Sequence, residues 1–332
     1  MQNLKHAFIK EKSALCLFLL TAVVAGCSSD KKTKGDLPYI DSQKEYPIKE
    51  LILTDIADVT YVVLNSDDKD YLYSGIGVRC VTENNIIVYD TFSGSFLFFS
   101  KDGKPKSRFN RMGRGPGEYL YVGNILYDEI TDDLFVIYDS YSDAFILVYS
   151  STGKFKRKIS VPGVSMARIA SFDEHSLIFY DQNYREWKLN DSPPIGGPNT
   201  LPYRPFYVEV KYDSPYFLIS KTDGAIMDII KLPEKDYLLR DTRGRSTVGR
   251  QYSVVHCPAG VFLCNPDADT VFRYNRDKSL TPVMYKIPPG SESTPKIILN
   301  NCVELGEYQF MELITLDREE EGGVSHKILF QR

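Results

Sequence analysis

Three aspartates recur at one position of a repeated segment, each directly after a tyrosine: Asp90, Asp139 and Asp181. Three carboxylates facing one channel would be oxygen ligands of the kind that Ca²⁺ takes. The other interpretation assigns each carboxylate to the turn that follows it, where it accepts hydrogen bonds from backbone N–H groups. Because the aspartate returns from copy to copy, we favour the structural role and expect no cofactor, with Ca²⁺ as the alternative.

A glycine-rich loop, Gly113–Gly117, has the composition of a phosphate cradle. It lacks the Gly-Lys-Ser/Thr ending of a P-loop, and the following Tyr119–Val122 is typical of a strand. Without the N-terminus of a helix, the loop has no preformed site for an anion. We therefore predict that this loop is a turn between two copies of the repeat.

Histidine is scarce, and beyond residue 26 it stands only at the widely separated positions His175, His256 and His326. Zinc sites need convergent ligands, and no His-x-His pair is present. There is also no Gly-x-Ser-x-Gly elbow of an α/β-hydrolase. We predict no metal site. The alternative is a metal-assisted hydrolase or lyase whose distant loops converge on a central channel.

A proline-rich and aromatic stretch, Asp181–Pro215, interrupts the repeat, and an arginine cluster follows it. Loops carry binding in rigid scaffolds, and aromatic side chains suit sugars and peptides. Arginines suit an anionic ligand. The alternative is that the aromatic stretch covers one face of the domain and that the arginines are solvated. The candidate ligand-binding residues are Trp187, Tyr203, Phe206, Tyr207, Arg243 and Arg245.

The elements that must position these residues are β-hairpins. Ile86–Asp90, Phe96–Phe99 and a Lys-Asp-Gly-Lys turn are followed by the similar Phe135–Asp139, Phe145–Tyr149 and Ser-Thr-Gly-Lys. A strand-and-turn period of about fifty residues is typical of β-propeller blades. The strands are nearly continuous apolar runs, which indicates burial on both faces.

Five such units and a lone early strand at Val59–Leu64 predict an all-β fold: a β-propeller of six blades, each a four-stranded antiparallel sheet. The early strand would complete the last blade and close the ring, which removes free sheet edges. The sequence stops at Arg332, in or just after a strand, so an incomplete last blade is an open alternative. We assign residues 48–332 to this single domain.

The N-terminus resembles the signal of a bacterial lipoprotein. Basic residues precede the apolar run Ala14–Gly26, which is short for a membrane-spanning helix. The run ends in Val24-Ala25-Gly26-Cys27, similar to a lipobox. We predict a signal peptide over residues 1–26, lipidation of Cys27 and a flexible tether over 27–47. An ordinary cleaved signal is the alternative.

The net charge of −4 argues against a nucleic-acid ligand, which requires a clustered positive face. An exported chain meets an oxidising compartment, where disulfides are allowed. Cys257 and Cys264 flank a turn and could form one, but buried free thiols are favoured for these two and for Cys80 and Cys302.

Three segments resemble a family of six-bladed β-propeller lipoproteins from Bacteroidota: Phe98–Lys104, Arg111–Tyr119 and the early Glu50–Tyr61. The resemblance covers about residues 48–290 and implies a TolB-like or NHL-like propeller in the cell envelope. It implies no catalytic residues.

We therefore expect an outer-membrane lipoprotein, facing the periplasm or the cell surface and held in the membrane through Cys27. It would bind a glycan, a peptide or a partner protein of the envelope without catalysis. A structural subunit of an envelope complex is a third possibility and predicts a large exposed apolar patch.

Overall fold

The computed structural model describes residues 37–65, 69–71, 73, 77–138, 145–160, 167–181, 185–189, 206–210, 214–233, 254–265, 268–289, 296–316 and 324–331. Within these ranges the regular structure consists of 22 strands and two short 3-10 helices, Leu53–Asp55 and Lys69–Tyr71. The predicted all-β class is confirmed. None of the described residues forms a helix long and apolar enough to cross a membrane.

Strand β1 (Tyr39–Asp41) comes first, and four-stranded sheets follow. The first sheet contains β2 (Val78–Val81), β3 (Asn85–Asp90), β4 (Ser95–Ser100) and β5 (Pro105–Asn110). The second contains β6 (Asn124–Asp128), β7 (Asp133–Tyr138), β8 (Phe145–Tyr149) and β9 (Phe155–Ser160). In both sheets, neighbouring strands are antiparallel and consecutive in the chain, as predicted.

The third sheet is interrupted. It begins with β10 (Ala167–Ser171) and β11 (Ser176–Asp181), and a separate antiparallel pair follows, β12 (Arg185–Leu189) and β13 (Phe206–Val210). The sheet is then completed by β14 (Tyr216–Ser220) and β15 (Ile226–Ile229). The proline-rich stretch is therefore an insertion between the second and third strands of a regular sheet.

The fourth sheet contains β16 (Val254–Cys257), β17 (Gly260–Leu263), β18 (Thr270–Asn275) and β19 (Leu280–Ile287), with β1 added in parallel to β19. The fifth contains β20 (Lys296–Leu305), β21 (Tyr308–Leu316) and β22 (Val324–Gln331). Among the described residues this last sheet has three strands.

Each sheet packs against the next one along the chain. Phe96 and Tyr127 share a core between the first and second sheets, and Ile146 and Phe217 share one between the second and third. Tyr180 and Leu263 share a core between the third and fourth sheets. Phe262 and Leu299 share a core between the fourth and fifth sheets. The inner strands are apolar on both sides because each lies between two such cores; β3, for example, is buried along its whole length.

The prediction of a strand at Val59–Leu64 is wrong. This segment forms no strand, and Tyr61 and Val63 are 91% and 83% exposed. Only its end is fixed, because Leu64 packs on the first sheet and the amide of Asn65 bonds to the carbonyl of Gly103 at 2.9 Å. β-propensity alone does not make a strand where no neighbouring strand offers backbone partners.

A strand forms instead inside the segment predicted as a tether. Tyr39–Asp41 pairs with Tyr285–Ile287, and Ile40 is buried in the core of the fourth and fifth sheets. The amide of Ser42 extends this pairing with a bond of 2.7 Å to the carbonyl of Ile287. The predicted signal peptide, Cys27 and the first part of the tether lie outside the described residues.

All four described cysteines, Cys80, Cys257, Cys264 and Cys302, are free thiols, as favoured from the sequence. Cys257, Cys264 and Cys302 lie in the core between the fourth and fifth sheets. Burial raises the pKa of Cys302 to about 12. A protonated, buried thiol is unreactive.

Candidate functional site

The strand order gives the sheets two distinct ends. In each four-stranded sheet, the turns from first to second strand and from third to fourth strand lie at one end, here called the turn face. The turn from second to third strand and the connection to the next sheet lie at the opposite end, the linker face. Every candidate residue can be assigned to one of these two faces from its place in the chain.

The loop between the first and second sheets is a structural clamp that joins the turn at Gly94 in the first sheet to the turn at Gly153 in the second. Tyr119 is fully buried, and its hydroxyl donates to the carbonyl of Gly94 at 2.7 Å while accepting from the amide of Arg111 at 3.1 Å. The Arg111 side chain donates to the carbonyl of Gly153 at 3.0 Å, which reaches the second sheet. The sequence-based interpretation as a turn between two sheets is confirmed.

The same loop already contains its own anion. The Glu118 carboxylate accepts the amide of Gly115 at 2.7 Å. A Cβ at Gly113 would lie 2.0 Å from that carboxylate, so a larger residue there would displace the Glu118 side chain. Because Glu118 fills the position where a phosphate would sit, the loop does not act as a phosphate cradle.

The structure describes two of the three repeated aspartates. Asp90 is buried and accepts from the amide of Phe92 at 3.1 Å and from the hydroxyl of Ser93 at 2.7 Å, which is the turn-stabilising role. Asp181 is also buried, and Asp139 lies outside the described residues. No three His, Cys, Asp or Glu side chains of the described residues are placed to hold a metal ion.

Three of the six sequence-predicted ligand contacts lie on the paired strands of the insertion in the third sheet. Trp187 lies on β12, and Phe206 and Tyr207 lie on β13; Tyr203, Arg243 and Arg245 are outside the described residues. The register pairs Trp187 with Val208, Lys188 with Tyr207 and Leu189 with Phe206. The insertion that holds β12 and β13 leaves the third sheet after its second strand and returns at its third strand, at the linker face.

The linker face also exposes apolar side chains that sequence reasoning missed. Phe92 is 77% exposed and Tyr121 is 68% exposed. Met112 is half exposed and covers Gly94, the residue whose carbonyl holds Tyr119. They occur in otherwise ordinary turn sequences, so only the fold shows that they share one end of the first sheet.

A cleft with a volume of about 600 Å³ lies on the turn face. Turns of the first, second, third and fourth sheets line it. Five carboxylates and two cations contribute, so its formal charge is negative: Glu83, Asp128, Glu129, Asp173 and Glu174 against Lys221 and Arg276. This volume lies within the range of small-ligand sites, about 300–1,000 Å³.

A buried ion pair forms the rigid part of the cleft wall. Lys221 follows β14, is buried, and donates to Asp128 at the end of β6 at 2.9 Å. Burial by itself would raise the pKa of Asp128, but the hydrogen bond and charge of Lys221 lower it below its usual value. Arg157 donates to the carbonyl of Lys221 at 2.9 Å and to Asp133 at 2.7 Å, which extends the network between the second and third sheets.

Glu129 joins the first sheet to the second at the other side of the cleft. Its carboxylate accepts from the Thr82 hydroxyl and from the Asn85 side-chain amide, each at 2.7 Å, and from the Asn84 amide at 3.3 Å. The hydrogen bond from Thr82 and the bonds from the two asparagines lower the pKa of Glu129. Glu129 is therefore a structural carboxylate that stays ionised.

The rim of the cleft carries exposed groups. Glu83 and Glu174 are exposed, and the Arg276 guanidinium lies 5.7 Å from the centre of the Phe172 ring. Arg276 also contacts the His256 ring at 3.2 Å. Asp173 is exposed but is used in its own turn, where it accepts from the Ser176 amide at 2.7 Å. Glu83, Glu174 and Arg276 can therefore turn toward a ligand.

The sequence contains a recurring residue that marks this cleft. A glutamate stands in the first turn of three successive sheets, in Thr82-Glu83-Asn84, Asp128-Glu129-Ile130 and Asp173-Glu174-His175. The recurrence is visible only when the copies are aligned on their first strands, which are less apolar than the hairpins that follow.

The family comparison decides the fold. Residues 28–192 match the DUF5128 family, described as a 6-bladed beta-propeller. This part of the chain is similar to that six-bladed β-propeller family. The predicted family and fold class are thereby confirmed, and the sheets described above are propeller blades.

One of the solved structures similar to this chain shares its fold. A protein of Bacteroides fragilis, described as a candidate exported protein, is 16% identical, with a TM-score of 0.54, over 84% of this chain and 78% of its own. A DUF4221-family protein of Bacteroides vulgatus is 10% identical, with a TM-score of 0.47, over 78% of each chain. No curated protein matched the sequence.

Proposed function

We propose that this propeller is an exported, lipid-anchored protein of the cell envelope that binds a ligand, without catalysis, in the turn-face cleft. The lipobox-like sequence ending in Cys27 supports the anchor. The description of the Bacteroides fragilis neighbour as a candidate exported protein supports export. The ligand classes are those expected from the sequence: a glycan, a peptide or a partner protein of the envelope.

The observation that carries the proposal is the construction of the cleft. Its walls are fixed by contacts between blades, notably Lys221 to Asp128 and Glu129 to Thr82. Its rim leaves Glu83, Glu174 and Arg276 exposed on that rigid frame. Preorganised polar groups at the mouth of a concave site reduce the entropy lost on binding.

The rim chemistry favours a ligand with amino groups. Exposed carboxylates such as Glu83 and Glu174 hold ammonium groups through charge-assisted hydrogen bonds, and the exposed Arg276 guanidinium can donate to an oxygen of the same ligand. An amino-sugar glycan or a lysine-rich peptide fits this combination better than a neutral sugar does.

The carboxylates support a binding role over a catalytic one. A general acid at neutral pH needs a raised pKa, as in glycosidases. Here the pKa values of Glu129 and Asp173 are lowered. Burial alone would raise the pKa of Asp173, but the hydrogen bonds from Ser176 and His175 outweigh this effect. Both groups are thus held as anions by their neighbours.

The first test is a thermal-shift screen of the processed protein. The probes are a glucosamine oligosaccharide, oligolysine, a glucose oligosaccharide and Ca²⁺. A ligand that binds the folded state raises the midpoint by mass action. We expect the two amino-bearing probes to raise it and the glucose oligosaccharide to leave it unchanged. No shift with any glycan or peptide, together with a midpoint that falls on adding a chelator, would favour a metal site and overturn the proposal.

A further inference from the structure

Arg276 is the exposed cation of the turn-face cleft. It follows β18 in the fourth sheet, and its Nη2 lies 3.2 Å from Nε2 of His256. Its guanidinium lies 5.7 Å from the centre of the Phe172 ring, within the range of a cation–π contact. Burial and the charge of Arg276 hold the pKa of His256 below its usual value, so the imidazole is neutral at neutral pH. The two contacts therefore orient the guanidinium without cancelling its charge.

No carboxylate neutralises Arg276, although the cleft is rich in carboxylates. Among the described residues, no ion pair includes this side chain. The next residue in the chain, Asp277, uses its carboxylate in its own turn, where it accepts from the amide and the hydroxyl of Ser279 at 3.0 and 2.6 Å. Asp173 is likewise used by the Ser176 amide at 2.7 Å. Most N–H donors of the guanidinium are thus available to an acceptor from outside the protein.

Two glutamates of the same cleft are unpaired as well. Glu83 lies in the first turn of the first sheet and Glu174 in the first turn of the third, and both are exposed. Within the described part of the chain, neither side chain forms a hydrogen bond or an ion pair. The cleft therefore presents free charges of both signs on walls that are fixed by contacts between blades. Such an arrangement selects a ligand with complementary charges of both signs.

We infer that the ligand of this cleft is a peptide with a free carboxylate as well as an amino group, and that Arg276 binds the carboxylate. This inference rests on the proposed binding role of the cleft. A guanidinium matches a carboxylate through two parallel charge-assisted hydrogen bonds. Glu83 and Glu174 take the ammonium group. A peptide has a carboxylate at its C-terminus, whereas a glucosamine oligosaccharide has none, so the peptide is the favoured class.

Calorimetric titration of the processed protein with trilysine and with trilysine amide tests this inference. The two probes differ only at the C-terminus, where the amide lacks the negative charge. Net charge alone favours the amide, because it is the more positive probe and the cleft is negative. We expect the opposite order: wild type should bind the free acid about ten-fold more tightly, since its carboxylate gains charge-assisted bonds from Arg276. This comparison needs no variant, so it is independent of effects on folding.

Arg276→Gln should remove the preference by weakening the binding of the free acid alone. Arg114→Gln removes an exposed arginine outside the cleft and should keep the preference. Wild type that binds the amide as tightly as the free acid, or more tightly, would overturn the inference and leave amine binding by the cleft intact. A preference that persists in Arg276→Gln, or that is lost in Arg114→Gln, would also overturn it.

Failure of both peptides to bind would overturn the inference as well. If the glucosamine oligosaccharide then binds, the proposed function stands with a glycan as its ligand. If that probe also fails, the proposed function falls together with the inference. The three probes therefore separate an error in the ligand class from an error in the site.

Discussion

The hydroxyl of Tyr119 donates a hydrogen bond to the carbonyl oxygen of Gly94 across 2.7 Å. This bond ties the connection between the first two blades to the second hairpin turn of the first blade. Rings around it form a continuous aromatic cluster, in which Tyr119 contacts Phe96 and Tyr149 edge to face. Two blades are thus joined by a buried polar contact inside an apolar interface.

Tyr119→Phe should destabilise the domain by about 2 kcal/mol, because the Gly94 carbonyl and the Arg111 amide both lose their buried partner. Urea unfolding measures the change. Tyr121→Phe, at an exposed site two residues away, is the control and should unfold like wild type. Equal midpoints for the two variants would mean that the Tyr119 hydroxyl contributes nothing to the clamp.

Lys221→Met should cost on the order of 3 kcal/mol, since it leaves the Asp128 carboxylate of the cleft wall without its buried cation. Adding Asp128→Leu should recover most of the loss, because the pair is then replaced by apolar groups. Lys104→Met removes an exposed partner of Asp102 and should have no measurable effect. A double variant as unstable as Lys221→Met alone would contradict this account.

Glu129 should make stability depend on pH below its ordinary pKa of 4.5. The folded pKa is lower than the unfolded one, so the unfolded state binds more protons in acid. The stabilisation is complete above pH 4.5 and is lost as the pH falls through the folded pKa. Glu129→Gln should flatten this part of the curve of thermal midpoint against pH. Glu50→Gln, an exposed carboxylate outside the network, should leave the curve unchanged.

Cys27→Ser should abolish lipid attachment and leave the N-terminal segment uncleaved. Labelled fatty acid should be incorporated into wild type and into Cys16→Ser, and not into Cys27→Ser. Each buried methylene of an acyl chain contributes about 0.8 kcal/mol to membrane affinity, so only the lipidated forms should be held stably in the membrane. Label in the Cys27→Ser protein would remove the basis for the anchor.

The sequence predicted the hairpins well because both faces of each inner strand are apolar. Ile86–Asp90 and Phe135–Tyr138 lie between two cores, so composition alone identifies them as strands. Val59–Leu64 has a similar composition, but it forms no strand because no neighbouring strand pairs with it. Tyr39–Asp41 has a weak pattern, yet it is a strand because Ile40 enters a core formed by residues more than 200 positions away.

The site was harder to predict than the fold, for a physical reason. Aromatic and arginine clusters such as those at Trp187 and Arg243 are conspicuous in sequence. The cleft combines ordinary turn residues from four blades, such as Glu83, Glu174 and Arg276. Only the stacking of the blades brings these turns together.

Calorimetric titration of the turn-face cleft tests the central claim most directly. The ligand is the probe that raises the thermal midpoint most, and the proteins are wild type, Glu83→Gln/Glu174→Gln and the control Glu50→Gln. We predict that the double variant binds at least about ten-fold more weakly, a loss of about 1.4 kcal/mol, while the control binds like wild type. Equal affinity in all three proteins would contradict the proposal that this cleft is the binding site.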